Sequence, residues 1–432
     1  MDPYRLFAED AIQKYKDLPE EQNELYKRKY VGVGPEALVE IFRRADPTPK
    51  DTAESIDAIS KTLFSNTIVK FDVIISGDDY IIGPNAKYVT VLSPFDVKIA
   101  LLEKKLFKSS EDKLAALIHA FTRKMVFIDI PKGAKSNINI LFLNANSPLA
   151  VQVMINCAEE SELQMMEWYA SASSRPSASC VMHEAQLHPY SKASIDAVHN
   201  EDKGTIAVGL SKYKVGNSAN LRINYLYNGG SHTRAKNRFD AVDHEASLHV
   251  NELIFGSSSQ KFDISSYIEN GAPSTTAELH TKAALMNESQ CMMKGFAKIP
   301  FGSRGARSFV HETGMLLDKS AYLDSIPAMS IDENEVKATH SSATGPIDDE
   351  LIFYLMSKGL DETKAKKLLV EGFFSSAVTR FKSDSAKLAA ASLIADKINT
   401  SAFGGKLKIS AENIWVGRAN EEDIFKDHYK YR

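Results

Sequence analysis

Cysteine is scarce in this chain: Cys157, Cys180 and Cys291 are all that occur in 432 residues. They lie far apart, are odd in number and form no C-x-x-C pair. That pattern excludes a disulfide framework and gives no support to a structural zinc site. Three small apolar core residues is the plain reading. No G-x-x-x-x-G-K-[ST] loop is present, so the chain is not expected to hydrolyse ATP. Gly32-Val-Gly34 lacks the third glycine and the preceding strand of a dinucleotide fingerprint. Positive charge is not in excess: the formal net charge is −4, which speaks against a nucleic-acid partner or an anionic membrane surface. No apolar run approaches the roughly 18 residues of a membrane span. The start, Met1-Asp-Pro-Tyr-Arg, has no apolar signal segment. The expected setting is soluble, reducing and cytoplasmic.

What is present reads as three regions. With 44% hydrophobic and 25% charged residues the composition is that of a globular protein. The length allows two or three domains, or one elongated domain with helical ends. Residues 1–124 form a helical and mixed region. Leu6, Phe7, Ala11, Ile12 and Tyr15 recur at helical spacing, Pro35 suits a helix first turn, and Asp51-Thr-Ala-Glu-Ser starts another helix. Residues 67–98 are strand-like, and a helix over 112–123 turns Leu114, Leu117, Ile118 and Phe121 to one side. Lys104-Lys105 and Arg123-Lys124 read as solvated faces.

From 125 to 345 the texture is a series of short apolar runs, among them 126–130, 138–143, 151–155, 194–198, 205–210, 221–227, 246–250, 262–264 and 277–280. Gly, Asn, Ser and Asp bound them. Asn228-Gly-Gly is the best hairpin-turn candidate. Small residues at the turns favour an irregular parallel β-helix over a sandwich, and its open ends need capping. After Gly345-Pro346 the chain turns helical. A helix from Asp348 to Ser357 ends at Gly359, a second runs from Asp361 to Val370 and closes at Gly372, and a third covers about 375–399. Residues 407–417 suggest a strand.

One stretch is more specific. It comprises Asp324-Ser-Ile-Pro, Val336-Lys-Ala-Thr-His340, Ala343-Thr-Gly-Pro-Ile-Asp-Asp-Glu350, Leu351-Ile-Phe-Tyr-Leu-Met-Ser-Lys-Gly359 and Leu368-Leu-Val-Glu-Gly-Phe373. This run resembles the core signature of the SufB/SufD family of iron–sulfur cluster assembly scaffolds. The resemblance implies a mainly β fold: a right-handed parallel β-helix flanked by N-terminal and C-terminal helical domains. It implies a non-hydrolytic scaffold subunit that pairs with a SufB-type paralogue or with itself. It also implies that residues 346–432 dock a SufC-type ATPase, with Asp348, Leu351, Tyr354, Leu368 and Phe373 as contacts.

Within the family this chain is SufD-like. The SufB branch reads His-Glu-Ala-Thr, whereas here Ser341 follows His340. Glu312 stands near the place where that branch carries a sulfur-accepting cysteine, and Ala338 stands where SufD chains often have one. The resemblance assigns His340, with Glu312 beside it, to transient binding of iron or an iron–sulfur cluster, since imidazole is a suitable borderline ligand. The plain alternative for His340 is a hydrogen bond that fixes the join at Pro346. His311 is a lesser candidate, while His244, His249 and His280 read as ladder or surface residues. Cys291, among methionines, reads as a buried inert thiol rather than a sulfur relay. Two other classes remain open. One is a purely structural partner without metal chemistry. The other is a β-helix polysaccharide enzyme using Asp240, Asp243 and Glu245 with Arg238.

Overall fold

The computed structural model describes residues 3–18, 35–45, 51–64, 69–94, 106–108, 111–172 and 176–400. Gly32-Val-Gly34, Lys104-Lys105 and the 407–417 stretch lie outside them. The chain opens with α1 (Pro3–Asp17), α2 (Pro35–Arg44) and α3 (Ala53–Leu63). Strands β1 (Val73–Ser76), β2 (Tyr80–Ile82) and β3 (Val89–Leu92) follow, then α4 (Lys113–Phe121), whose first turn is capped by Asp112. Next come β4 (Lys124–Ile130), β5 (Lys135–Asn144), β6 (Leu149–Cys157), β7 (Glu162–Ser171), β8 (Ser177–Leu187), β9 (Lys192–Asn200), β10 (Thr205–Val215), β11 (Asn220–Tyr227) and β12 (His232–Ala241). The series continues through β13 (Ser247–Gly256), β14 (Lys261–Asn270), β15 (Thr276–Leu285), β16 (Gln290–Ile299), β17 (Arg307–Leu316), β18 (Tyr322–Ser325), β19 (Ala328–Ile331) and β20 (Lys337–Pro346). Helices α5 (Asp349–Ser357), α6 (Glu362–Val378) and α7 (Asp384–Thr400) close the described chain.

From β4 onward strands pair in parallel with the strand one coil later. Ile206 lies beside His232, and Thr276 beside Arg307, so a coil takes about 26 to 31 residues. One sheet runs from β5 through the odd strands to β17 and ends on β20. The other runs from β4 through the even strands to β18, with β19 also on β16. The result is a parallel β-solenoid of about eight turns with helices before and after it. At the first end, β1 joins β5 in parallel, while β2 pairs antiparallel with β1 and β3 pairs antiparallel with β4.

The corners explain the sequence texture. Gly133, Glu160, Tyr190, Ser218, Glu245, Ser274 and Gly305 occupy the left-handed backbone region, one per coil at the same corner. The Glu160 N–H donates to Pro189 O one coil on, Tyr190 to Asn217 and Ser218 to His244. The following residue is small and sealed inside: Ser161, Ser191, Ala219, Ala246, Thr275 or Ala306. A bulky side chain there would hold the coils apart. Asn228-Gly-Gly is one of the opposite corners rather than a hairpin, because β11 and β12 belong to different sheets. A Cβ on Gly229 would lie 2.1 Å from Glu201 N, so only glycine fits between the coils.

Inside the solenoid apolar ladders dominate, joined by a ring stack of Phe142, Tyr169, His199 and Tyr227 with centroids 4.0–5.0 Å apart. Two outer faces are covered. Helices α2 and α4 pack on Ala178, Cys180, Met182, Val208 and Leu210 of the even-strand sheet. Helices α6 and α7 pack on Val198, Leu226, Leu253, Phe255 and Ala284 of the other. Polar anchors fix the second union. Asp196 accepts from the N–H groups of Lys382 and Ser383 at 2.9 and 2.7 Å, and Lys282 donates to Phe373 O at 2.9 Å.

Two helix bounds differ from the sequence expectation. Helix α6 does not close at Gly372 but continues to Val378, and α7 starts at Asp384 rather than near 375. Gly372 costs the helix about 1 kcal/mol, yet Phe374, Ala377 and Val378 are buried against the solenoid and outweigh it.

Candidate functional site

The last coil is unlike the others. Strand β20 pairs with β17 and ends its sheet, and among the described residues no strand neighbours its other edge. Every residue from Thr339 to Thr344 is exposed. Register decides which way they face. Val310, Glu312 and Gly314 of β17 point into the solenoid, and they lie beside His340, Ser342 and Thr344. These three therefore line the inner side of the final coil, where the next coil would sit.

Glu312 lies one layer below. It has 0% exposure, and its Oε2 accepts a short hydrogen bond from Ser325 on β18. The Ser325 hydroxyl lies 2.6 Å from that of Ser342. A chain of two hydroxyls thus joins the buried carboxyl to the open face. Gly295 makes the space: a Cβ there would meet Glu312 Oε1 at 2.8 Å. Burial pushes the Glu312 carboxyl up to about 7, with the hydrogen bond from Ser325 opposing and the charge of Glu252 adding.

Neighbouring residues on one strand diverge. His311 faces outward beside Ser341, its Nδ1 2.6 Å from that hydroxyl, while Glu312 faces inward. Of the residues singled out from the sequence, the fold brings His340 and Glu312 to one end, in successive coils and adjacent register positions. Ser325 and Ser342, which extend hydrogen bonding from Glu312 towards the exposed face, were missed. The period-two pattern His340, Ser342, Thr344 was the available signal.

The second exposed feature is helical. Asp348 Oδ1 accepts from the N–H groups of Glu350 and Leu351 and caps α5. Only Ile352 of α5 is buried. Leu351, Phe353, Tyr354 and Met356 are exposed, Phe353 at 73%, with Leu368 of α6 also exposed. Phe373 instead packs partly inward, with Lys282 over its ring. So Leu351, Tyr354 and Leu368 stand on the surface, whereas Asp348 and Phe373 have internal duties. Phe353 and Met356 were missed because an apolar residue on a helix reads as core by default.

The cysteines are all buried. Burial pushes Cys157 up to about 12 and raises Cys180 and Cys291 as well, so the thiols stay protonated. Among the described residues no group of three or more His, Cys, Asp or Glu side chains is arranged to hold a metal ion. Nor is any helix among them long and apolar enough to cross a membrane. Arg238 is bound to Asp240 and Glu269 at 2.9 Å each. Asp240 is therefore engaged in a salt bridge, unlike the free carboxylate a glycosidase needs.

The described residues thus form a parallel solenoid that ends on an exposed strand, with an apolar helical patch beside it. Residues 141–373 match the family model described as SUF system FeS cluster assembly, SufBD core domain. The chain belongs to the SufBD family. It is 26% identical over 274 residues to the iron–sulfur cluster assembly SufBD family protein of Pyrococcus horikoshii, covering 62% of this chain and 61% of that one. It is 30% identical over 200 residues to a SufBD family protein of Mycobacterium bovis, covering 44% and 50%. With the iron–sulfur cluster assembly protein SufD of Bacillus subtilis it shares 21% identity over 310 residues, covering 69% and 70%. The first two matches thus span less than two thirds of the relative's own length.

Proposed function

We propose that this protein is a non-hydrolytic scaffold subunit of a SUF iron–sulfur assembly complex. It pairs end to end through β20 with a SufB-type paralogue or a second copy, and it docks a SufC-type ATPase on α5 and α6. The observation that carries the reading is the last coil: an exposed edge strand whose inner row, His340, Ser342 and Thr344, has no coil above it among the described residues. Covering that row would place the His340 imidazole at a junction between two chains. There it supplies one ligand to iron or a cluster in transit, and the partner supplies the others. Both metal and cluster are cargo in this scheme.

The test has two arms. Phe353→Asp with Leu368→Asp should abolish co-purification with the ATPase subunit, since charges replace exposed apolar contacts. Deleting the helices would be a poor substitute, because it would strip the cover from Leu253 and Phe255. Unchanged binding would sink the docking claim. His340→Ala should lower iron loading or cluster yield while the complex still assembles.

The buried, protonated thiols favour a second reading, in which the chain organises its partners and contributes no ligand. Full cluster yield from His340→Ala would establish it.

A further inference from the structure

We infer that the middle of the solenoid holds an ordered-water site, anchored on the hydroxyls of Tyr225 and Ser211. The inference concerns the interior of the single chain and is independent of the pairing reading.

A cavity lies between the ring stack and the sheet opposite it. Tyr169, His199 and Tyr227 form one wall, and Ala207, Gly209 and Ser211 of β10 form the other. A mismatch in size creates it, because large rings on β7, β9 and β11 face three of the smallest side chains. The backbone does not ask for glycine at 209. Its φ lies outside the left-handed region, and a Cβ there would meet nothing closer than Ala235 Cβ at 4.0 Å. A larger residue would suit a strand better, so what Gly209 does is leave room. The space admits about one or two water molecules.

The lining decides what fills it. Small cavities with apolar walls stay dry, whereas buried water sits where polar groups lack partners. Tyr225 Oη and Glu201 Oε2 belong to residues of this wall, and both are buried with no hydrogen-bond partner in the chain. The hydroxyls of Ser211 and Tyr213 face that of Tyr225, yet no bond of good geometry closes to it. Leaving such a hydroxyl unmatched is costly. Other polar groups of the wall are already committed. His183 Nε2 lies 2.9 Å from Glu167 Oε1 and 3.3 Å from Tyr169 Oη. Asn237 Nδ2 donates towards Tyr227 Oη at 3.2 Å and Glu252 Oε1 at 3.2 Å. Neither can turn to Tyr225. A water can: it accepts the Tyr225 proton and donates to Ser211 Oγ. Its remaining proton is free for a second water that donates to Glu201 Oε2.

Crystals of the full chain diffracting to about 1.5 Å test the site. An ordered water should lie about 2.7–3.0 Å from Tyr225 Oη. Under xenon pressure the cavity should take up no xenon, which enters dry apolar holes. A xenon peak there, or the lack of a water peak, overturns the proposal. Tyr225→Phe keeps the ring and removes the anchor. In its crystals the water peak should vanish, and a peak that stays put overturns the anchoring. Its urea midpoint should fall by roughly a few tenths of a molar at unchanged slope. A midpoint equal to or above the parent's would show that the hydroxyl has no partner in the parent. A lower midpoint with no water peak in the parent would assign the partner to Ser211 or Tyr213 directly. Either result overturns the water site.

Discussion

At the scale of single residues, Glu312 is the most informative because it is expensive. Its carboxyl is raised to about 7 from an ordinary 4.5. A group raised on folding favours the folded state fully below its unfolded value and loses that favour as pH rises through the folded one. Above about pH 7 the buried charge therefore destabilises the fold, by on the order of 3 kcal/mol. Glu312→Gln keeps the shape and removes the charge. It should unfold at higher urea than the parent near pH 8.5, and at the same urea near pH 4.5, where both carry a neutral group. Equal midpoints at the higher pH would show that the carboxyl is already neutral there. A residue that costs stability at neutral pH and sits one layer beneath an open face is a residue kept for use. Asp196 shows the contrasting role. Its three acceptor bonds, to Asn224 Nδ2 and the N–H groups of Lys382 and Ser383, fasten the α6–α7 loop to the solenoid. Asp196→Ala leaves these donors unmatched and should cost roughly 2–3 kcal/mol. Hydrogen exchange at Ser383 should rise more than exchange in the distant coils, which would separate local loosening from global loss.

At the scale of elements, the corners carry a testable strain. Tyr190 holds a left-handed backbone at φ 61° with its side chain exposed at 55%. That conformation costs an L-residue roughly 1 kcal/mol that glycine escapes, and little packing is lost by truncation. Tyr190→Gly should be neutral to stabilising, by up to about 1 kcal/mol, in denaturant melts. A loss of 2 kcal/mol or more would mean that the ring has a packing role not visible from its exposure. Such corners also explain what the sequence could convey. The run 221–227 is readable because its inward residues Leu221, Ile223, Tyr225 and Tyr227 are apolar, and 205–210 because Val208 and Leu210 pack outward on the helices; they fall within β11 and β10. Strands β7, β8, β12, β16 and β17 were not distinguishable in the same way. Their inner rows carry Glu167, His183, Asn237, Gly295 and Glu312, which are paired across the interior or leave it room. His183, for example, lies 2.9 Å from Glu167. Polar residues inside a strand erase the period-two signal, and only the coil above supplies the partner that makes them tolerable. The left-handed corner residues were equally silent, since five of the seven are not glycine. The signature around His340 was legible as a family resemblance, but its inward direction came only from the register with Val310.

At the scale of the whole molecule, the solenoid is a one-dimensional stack in which each coil is stabilised by its neighbours. One end is closed by the antiparallel strands β2 and β3, whereas the other ends on β20 with its inner row bare. This asymmetry separates stability from assembly. Ser342 and Thr344 are exposed in the single chain, so replacing both by lysine removes little packing and should change its stability by no more than about 0.5 kcal/mol. In an end-to-end pair the same positions would be covered, and two lysines from each end would be forced into a shared interior. Inward-pointing charge on an edge is the device that natural sheets use to prevent such pairing. Association of this chain with its partner, followed by sedimentation, should therefore weaken at least tenfold in Ser342→Lys with Thr344→Lys, while the thermal midpoint of the isolated chain stays put. Docking of the ATPase subunit on α5 and α6 should survive, because Phe353 and Leu368 belong to a separate element. Association that persists with both lysines in place would mean that the chain pairs through another surface and that the open end serves something else. A fallen midpoint with intact pairing would mean that the last coil is a cap rather than a contact. Only loss of pairing with retained stability and retained docking is what an open solenoid end built for a second chain requires.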